Sequence, residues 1–109
     1  MTEHTRQDGP AVPVHPGEIL REDILPELKA GGLSLSAFAQ HIGTTRQTVY
    51  DIINEKRALT PDIAVRLGAA FGNSPRFWMN LQTNYDLWHA VRKMNLAGIT
   101  RLDTRAPQQ

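Results

Sequence analysis

The stretch SLSAFAQHIGTTRQTVYDIINEKR, residues 34–57, decides how this chain folds. Two short amphipathic segments flank one glycine there. In the first, Leu35, Phe38, Ala39 and Ile42 recur at i, i+3, i+4 and i+7, the pattern of a helix with one apolar face, and Ser34 is placed to cap it. Gly43 ends that helix, since glycine takes the left-handed backbone at no steric cost. Thr44 or Thr45 caps the next helix, which turns Val49, Ile52 and Ile53 inward. Ala39 is small enough to let the two helices cross closely. Ala39, Gly43, Val49 and Ile52 thus stand where a helix-turn-helix requires them, leaving Arg46, Gln47, Thr48 and Asp51 facing out. Such a helix fits a DNA major groove. Two helices around a glycine turn also serve as plain scaffold in all-α domains, so the functional reading rests on the outward residues.

Outward from this stretch, every further signal is helical. Pro16 can open a helix because its missing N–H is not needed there, and Ile19, Leu20, Ile24 and Leu28 form its apolar stripe. Pro26 is expected to kink or end this helix, and Gly31-Gly32 to break it. Thr60-Pro61-Asp62 joins a cap, a first-turn proline and an acid that complements the helix dipole; the helix it starts should bury Ile63, Leu67, Ala70 and Phe71 and stop at Gly72. Asn73-Ser74-Pro75 repeats that start for a long last helix, with Phe77, Trp78, Leu81, Tyr85, Trp88 and Val91 on its apolar side, ending before Gly98. No alternating strand pattern occurs. The expected fold is all-α, with five helices and a long C-terminal one. A flexible arm is expected over residues 1–14, a DNA-binding domain over 15–94 (its helix-turn-helix at about 34–54) and a flexible tail over 95–109.

Composition narrows the class. At 109 residues the chain is one domain, and 40% hydrophobic residues suffice for its core. With no cysteine, disulfides and thiolate metal sites are excluded, which suits a reducing compartment. No apolar run approaches the ~20 residues of a membrane span, and MTEHTRQDGPAVPV lacks the apolar core of a signal peptide. The expectation is a cytoplasmic, nucleoid-associated protein with no membrane partner. Net charge is only +1, but it is unevenly spread: residues 1–33 carry three basic and six acidic side chains, the remainder nine basic and five acidic. An acidic front beside a basic body suits two surfaces for two partners.

Candidate chemistry gathers on the third helix. Gln47 can pair bidentately with adenine and Arg46 with guanine, because their side-chain geometries match those base edges. Thr45 places a hydroxyl and backbone N–H groups where phosphate is favoured. Asn54, Lys56 and Arg57 follow the helix and can grip the backbone on its far side. Tyr50, at the edge of the exposed face, can meet a thymine methyl or cover Ile53. Asp51 would repel phosphate, so it should face a base edge, Lys56 or Arg57. His4, His15, His41 and His89 have no metal-ligand spacing and read as surface or packing residues. No nucleophile–base arrangement, phosphate loop or carboxylate pair is visible, so no catalytic residue, metal or cofactor is expected. The aromatic stripe of the last helix exceeds what a small core can absorb, and Tyr85, Trp88 and Val91 are candidates for a dimer contact.

Four segments in one order carry a resemblance: His15-Pro16-Gly17-Glu18-Ile19-Leu20; the helix-turn-helix; Asn54-Glu55-Lys56-Arg57-Ala58-Leu59-Thr60-Pro61; and Phe77 through Leu87, FWMNLQTNYDL. Over about residues 14–90 the chain resembles the HigA antitoxin family, Xre-type proteins with a lambda-repressor-like fold, also described as virulence-associated protein I-like or plasmid maintenance antidotes. The resemblance implies a homodimer that binds a palindromic operator, represses its own operon, and neutralises a HigB-type toxin, a ribonuclease that cleaves mRNA. It places DNA contacts on Thr45, Arg46, Gln47, Thr48, Asp51, Asn54, Lys56 and Arg57. Arg46, Tyr50 and Asp51 sit where operators differ, so the bases read do not carry over. An acidic face at Glu18, Glu22, Asp23 and Glu27 is the candidate toxin surface, because an RNA-cleaving partner should be basic. The alternatives are a stand-alone Xre-type repressor and a protein-interaction module.

Overall fold

Five helices and no strand make up residues 12–103, the residues that the computed structural model of the chain describes. Of the expected arm, residues 1–11 lie outside the described residues; of the expected tail, residues 104–109 do. Helix α1 spans residues 16–30 in three parts: α-helical Pro16–Ile19, π-helical Leu20–Ile24 and α-helical Leu25–Ala30. Then come α2 (Leu35–Ile42), α3 (Arg46–Ile53), α4 (Pro61–Phe71) and α5 (Pro75–Lys93).

The middle of α1 departs from expectation. Pro26 does not end the helix, which continues to Ala30 before Gly31 and Gly32. In a regular α-helix the proline ring would strike the carbonyl four residues back. Here the turn before it is wider, with the Leu25 N–H reaching the Leu20 carbonyl five residues earlier, and Pro26 opens the second α-helical segment. Elsewhere the local signals hold. Ser34, Thr45, Thr60 and Ser74 cap their helices through the side-chain oxygen. Thr45 rather than Thr44 caps α3.

The core joins Leu20 of α1, Phe38, Ala39 and Ile42 of α2, and Val49 and Ile52 of α3 to Ile63, Ala64 and Leu67 of α4. Trp78 of α5 and Leu59, from the loop after α3, complete it. Phe38, Phe71 and Trp78 form an aromatic row with centroid separations of 5.8 and 6.3 Å. Two inward assignments need correction. Ala70 is exposed, and Ala64 and Gly68 take the inward row of α4. Phe77 is 44% exposed, because one residue is a rotation of about 100° and Trp78 holds the inward direction. One turn on, that direction belongs to a polar residue, Gln82.

Candidate nucleic-acid interface

The pose of α3 is set at both ends. At its start, Gly43 adopts φ 82°, the left-handed backbone read from the sequence. Arg66 of α4 donates through Nη1 to the Ile42 carbonyl at 2.9 Å and through Nε to Asp62 at 3.1 Å, tying the turn to α4. Thr45 Oγ1 accepts from the Thr48 N–H at 3.1 Å and donates to Thr48 Oγ1 at 2.9 Å. Val49 and Ile52 are buried below, so Arg46, Gln47, Tyr50 and Asn54 are exposed on the other side, with Thr48 and Asp51 half-buried beside them.

The exposed face is ordered by its own contacts. The Arg46 guanidinium carbon lies 5.5 Å from the Tyr50 ring centroid, within reach of a cation–π attraction. Asp51 meets neither the Lys56 nor the Arg57 side chain; it accepts from Gln47 Nε2 at 2.8 Å. The shared hydrogen bond fixes the Gln47 amide one turn away. It leaves Oε1 and one amide hydrogen free, the acceptor–donor pair that matches adenine. Asp51 thereby acts through Gln47. Asn54 Nδ2 donates to the Tyr50 carbonyl at 2.9 Å, closing the last turn. Lys56 and Arg57 are exposed and make no ion pair among the described residues.

Beyond the last turn, distant residues take over. Glu55 stands at φ 60°, the only non-glycine residue at positive φ among those described. Its carboxylate accepts from Arg21 Nη2 at 3.2 Å, and Arg21 Nη1 donates to the Ile53 carbonyl, an orphan carbonyl of the helix end. Arg21 also holds Glu22 at 3.0 Å, and these acids keep the guanidinium pKa above its ordinary value, Glu22 first. Gly17 lies against the backbone of α3; a Cβ there would overlap the Ile52 carbonyl. Helix α1 therefore buttresses α3 directly. Gln82 Oε1 accepts from the Leu59 N–H at 2.7 Å, and its Nε2 donates to Asp86 at 2.9 Å, so α5 anchors the loop that follows Lys56 and Arg57. Sequence reading missed Gly17, Arg21, Glu55 and Gln82 as positioning residues. A glutamine on the inward face of an aromatic helix was the one visible signal.

His15 is a packing residue, as expected, with an added role. Its Nδ1 accepts from the Gly17 N–H at 2.9 Å and caps α1, while its ring meets Tyr85 edge-on at 4.9 Å. Burial pushes its pKa below 6.5, against the upward pull of Glu55 and Asp86. The neutral ring with its proton on Nε2 is the form that caps.

The remaining predicted residues lie elsewhere. On α1, Glu22, Asp23 and Glu27 are exposed and Glu18 is half-buried, with Glu22 paired to Arg21. On α5, Tyr85 spends one face on His15 and another on His89, at 4.3 Å. Trp88 is half-buried under the Arg92 guanidinium, 3.8 Å from the ring centroid, and Val91 is 59% exposed beside Leu87 at 58%. No helix among the described residues is long and apolar enough to cross a membrane.

A capped, outward-polar helix held across a glycine turn defines a helix-turn-helix DNA-binding regulator, and the helix-turn-helix family model matches residues 27–78. Virulence-associated protein I of Dichelobacter nodosus is 43% identical over 94 residues, 85% of this chain and 84% of its own. Antitoxin HigA-1 of Vibrio cholerae is 41% identical over 76 residues, 70% of this chain and 69% of its own. Among solved structures, the Pseudomonas aeruginosa antitoxin HigA with the higBA promoter is 43% identical with a TM-score of 0.68, covering 74% of this chain and 85% of that one. The chain belongs to the HigA antitoxin family of helix-turn-helix regulators.

Proposed function

We propose that this chain is the antitoxin of a HigBA-like operon: it binds a palindromic operator as a homodimer, represses its own promoter, and neutralises a HigB-type ribonuclease. The observation that carries the reading is α3 itself, whose exposed Arg46, Gln47 and Tyr50 are ordered on a helix fixed at both ends. Relatives that bear the antitoxin name, one of them solved with promoter DNA, support it. Arg46 and Gln47 read bases, with Tyr50 and Asp51 positioning them. Thr45, Thr48, Asn54, Lys56 and Arg57 hold phosphates on either side. A two-fold dimer sets two such helices roughly 34 Å apart, one turn of DNA. Trp88 and Val91, with Tyr85 behind them, form the dimer contact. Glu18, Glu22, Asp23 and Glu27 meet the basic toxin.

Two measurements test this. Binding to a duplex from its own upstream region should discriminate against shuffled sequence. Gln47→Ala should cost about 1–3 kcal/mol there and relax preference at one position, whereas Lys56→Ala should weaken both duplexes alike. Equal loss on both duplexes for Gln47→Ala would falsify the base-reading role. Co-expression with the neighbouring reading frame should rescue growth and co-purify the two proteins. Charge reversal at Glu22 and Asp23 should abolish that rescue, and full rescue by the reversed variant removes α1 from the toxin surface. Operator binding without any toxic neighbour would make the chain a stand-alone repressor.

A further inference from the structure

We propose that the operator footprint extends beyond α3 into a groove between the end of α1 and the start of α3, where Lys29 grips the phosphate backbone. This rests on the DNA-binding reading and adds a contact that the helix-turn-helix pattern does not supply. The groove has a volume of about 520 Å³ and is lined by Leu25, Leu33 and Leu35 together with Lys29, Ser36 and Arg46. Lys29 comes from the last turn of α1 and Arg46 from the first residue of α3. Both are exposed, and neither makes an ion pair among the described residues. No carboxylate lines the groove. Two cations and a hydroxyl around an open, acid-free groove select an anionic chain.

Continuity identifies that chain. Arg46 belongs both to the groove and to the exposed face of α3, so a duplex against α3 passes the groove mouth at the helix start. On the far side of α3, Lys56 and Arg57 already offer cations. Lys29 supplies the matching charge on the near side, so a strand is held on each side of the reading helix. The leucines present apolar surface to the C–H edges of the sugars. Lys29 carries no base information and acts as a point charge, which fixes how it must behave in experiment.

The test is Lys29→Met in the full chain, which keeps the aliphatic stem over the leucines and removes the charge. Binding is followed against salt on the upstream duplex and on a random-sequence duplex. The slope of log affinity against log salt should shrink by about 0.9, the loss of one phosphate contact, equally on both duplexes. Discrimination between them should be unchanged. Lys93→Met, at the other end of the chain's last helix, should leave the slope intact. A normal native slope that Lys29→Met does not alter overturns this proposal alone, as does an equal effect of Lys93→Met. Weakened toxin capture by Lys29→Met with an unchanged DNA slope assigns the groove to a protein segment and overturns it too. Absence of salt-dependent DNA binding by the native chain overturns both this proposal and the function it rests on.

Discussion

The two ends of α3 are held by different means. Its start is fixed by neighbours in sequence: Thr45 caps it, Gly43 turns the chain into it, and Ser34 starts the helix before it. Its end is fixed by residues some thirty positions away, with Gly17 and Arg21 of α1 on the helix itself and Gln82 of α5 on the loop beyond. The near end is a matter of propensity, the far end one of assembly. A helix built this way can form early yet reach its final pose only when α1 and α5 are docked.

The contrast breaks most sharply at Gly17. Gly17→Ala must push α1 off the Ile52 carbonyl, and overpacking of this kind costs about 3 kcal/mol. Urea denaturation should show that loss together with weakened DNA binding; an unchanged midpoint would mean that α1 shifts freely. Next in size, Arg21→Met removes a charged hydrogen bond to the Ile53 carbonyl and frees Glu55, at about 2 kcal/mol. Adding Glu55→Gly should return about 1 kcal/mol, since glycine holds φ 60° without a clamp. A double variant no better than Arg21→Met would show that Arg21 does not restrain that backbone. At the other end, Thr45→Ala should cost about 1 kcal/mol, the usual value of a lost N-cap. Its effect should add to that of Arg21→Met, because the two ends share no partner.

The smallest effect is one of pH. His15 titrates below 6.5 when folded and near 6.5 when unfolded, so the unfolded chain binds the proton more readily. Its contribution is complete above pH 6.5 and is lost as pH falls through the lowered folded value. Urea midpoints should therefore drop on acidification below that point. His15→Asn, which keeps a capping oxygen and does not titrate, should flatten the drop. An identical pH profile for the variant would remove His15 from the account.

What the sequence disclosed follows the same division. Capping residues, the Gly43 turn and the buried faces of α2 and α3 depend on spacings of three or four residues, and all were readable. The passage of α1 through Pro26 was not, because a wide turn relieves the proline clash without a local signal. Phe77 was misread since hydrophobicity alone cannot say which of two adjacent aromatics, Phe77 or Trp78, faces in. In the candidate site, the outward residues of α3 were legible one by one, but their pairings were not. Asp51 was assigned to a cation and instead holds Gln47, one turn back, where a neutral amide competes with no desolvation of charge.

That pairing has a consequence for how such a regulator diverges. If Gln47 reads a base while tethered to Asp51, replacing either residue alone leaves an amide without direction or a carboxylate facing phosphates. A new operator preference is then reached by exchanging both positions together. Duplicated copies in one genome would keep their promoters apart by the identity of this couple, and single drifting substitutions would be purged before they created cross-talk.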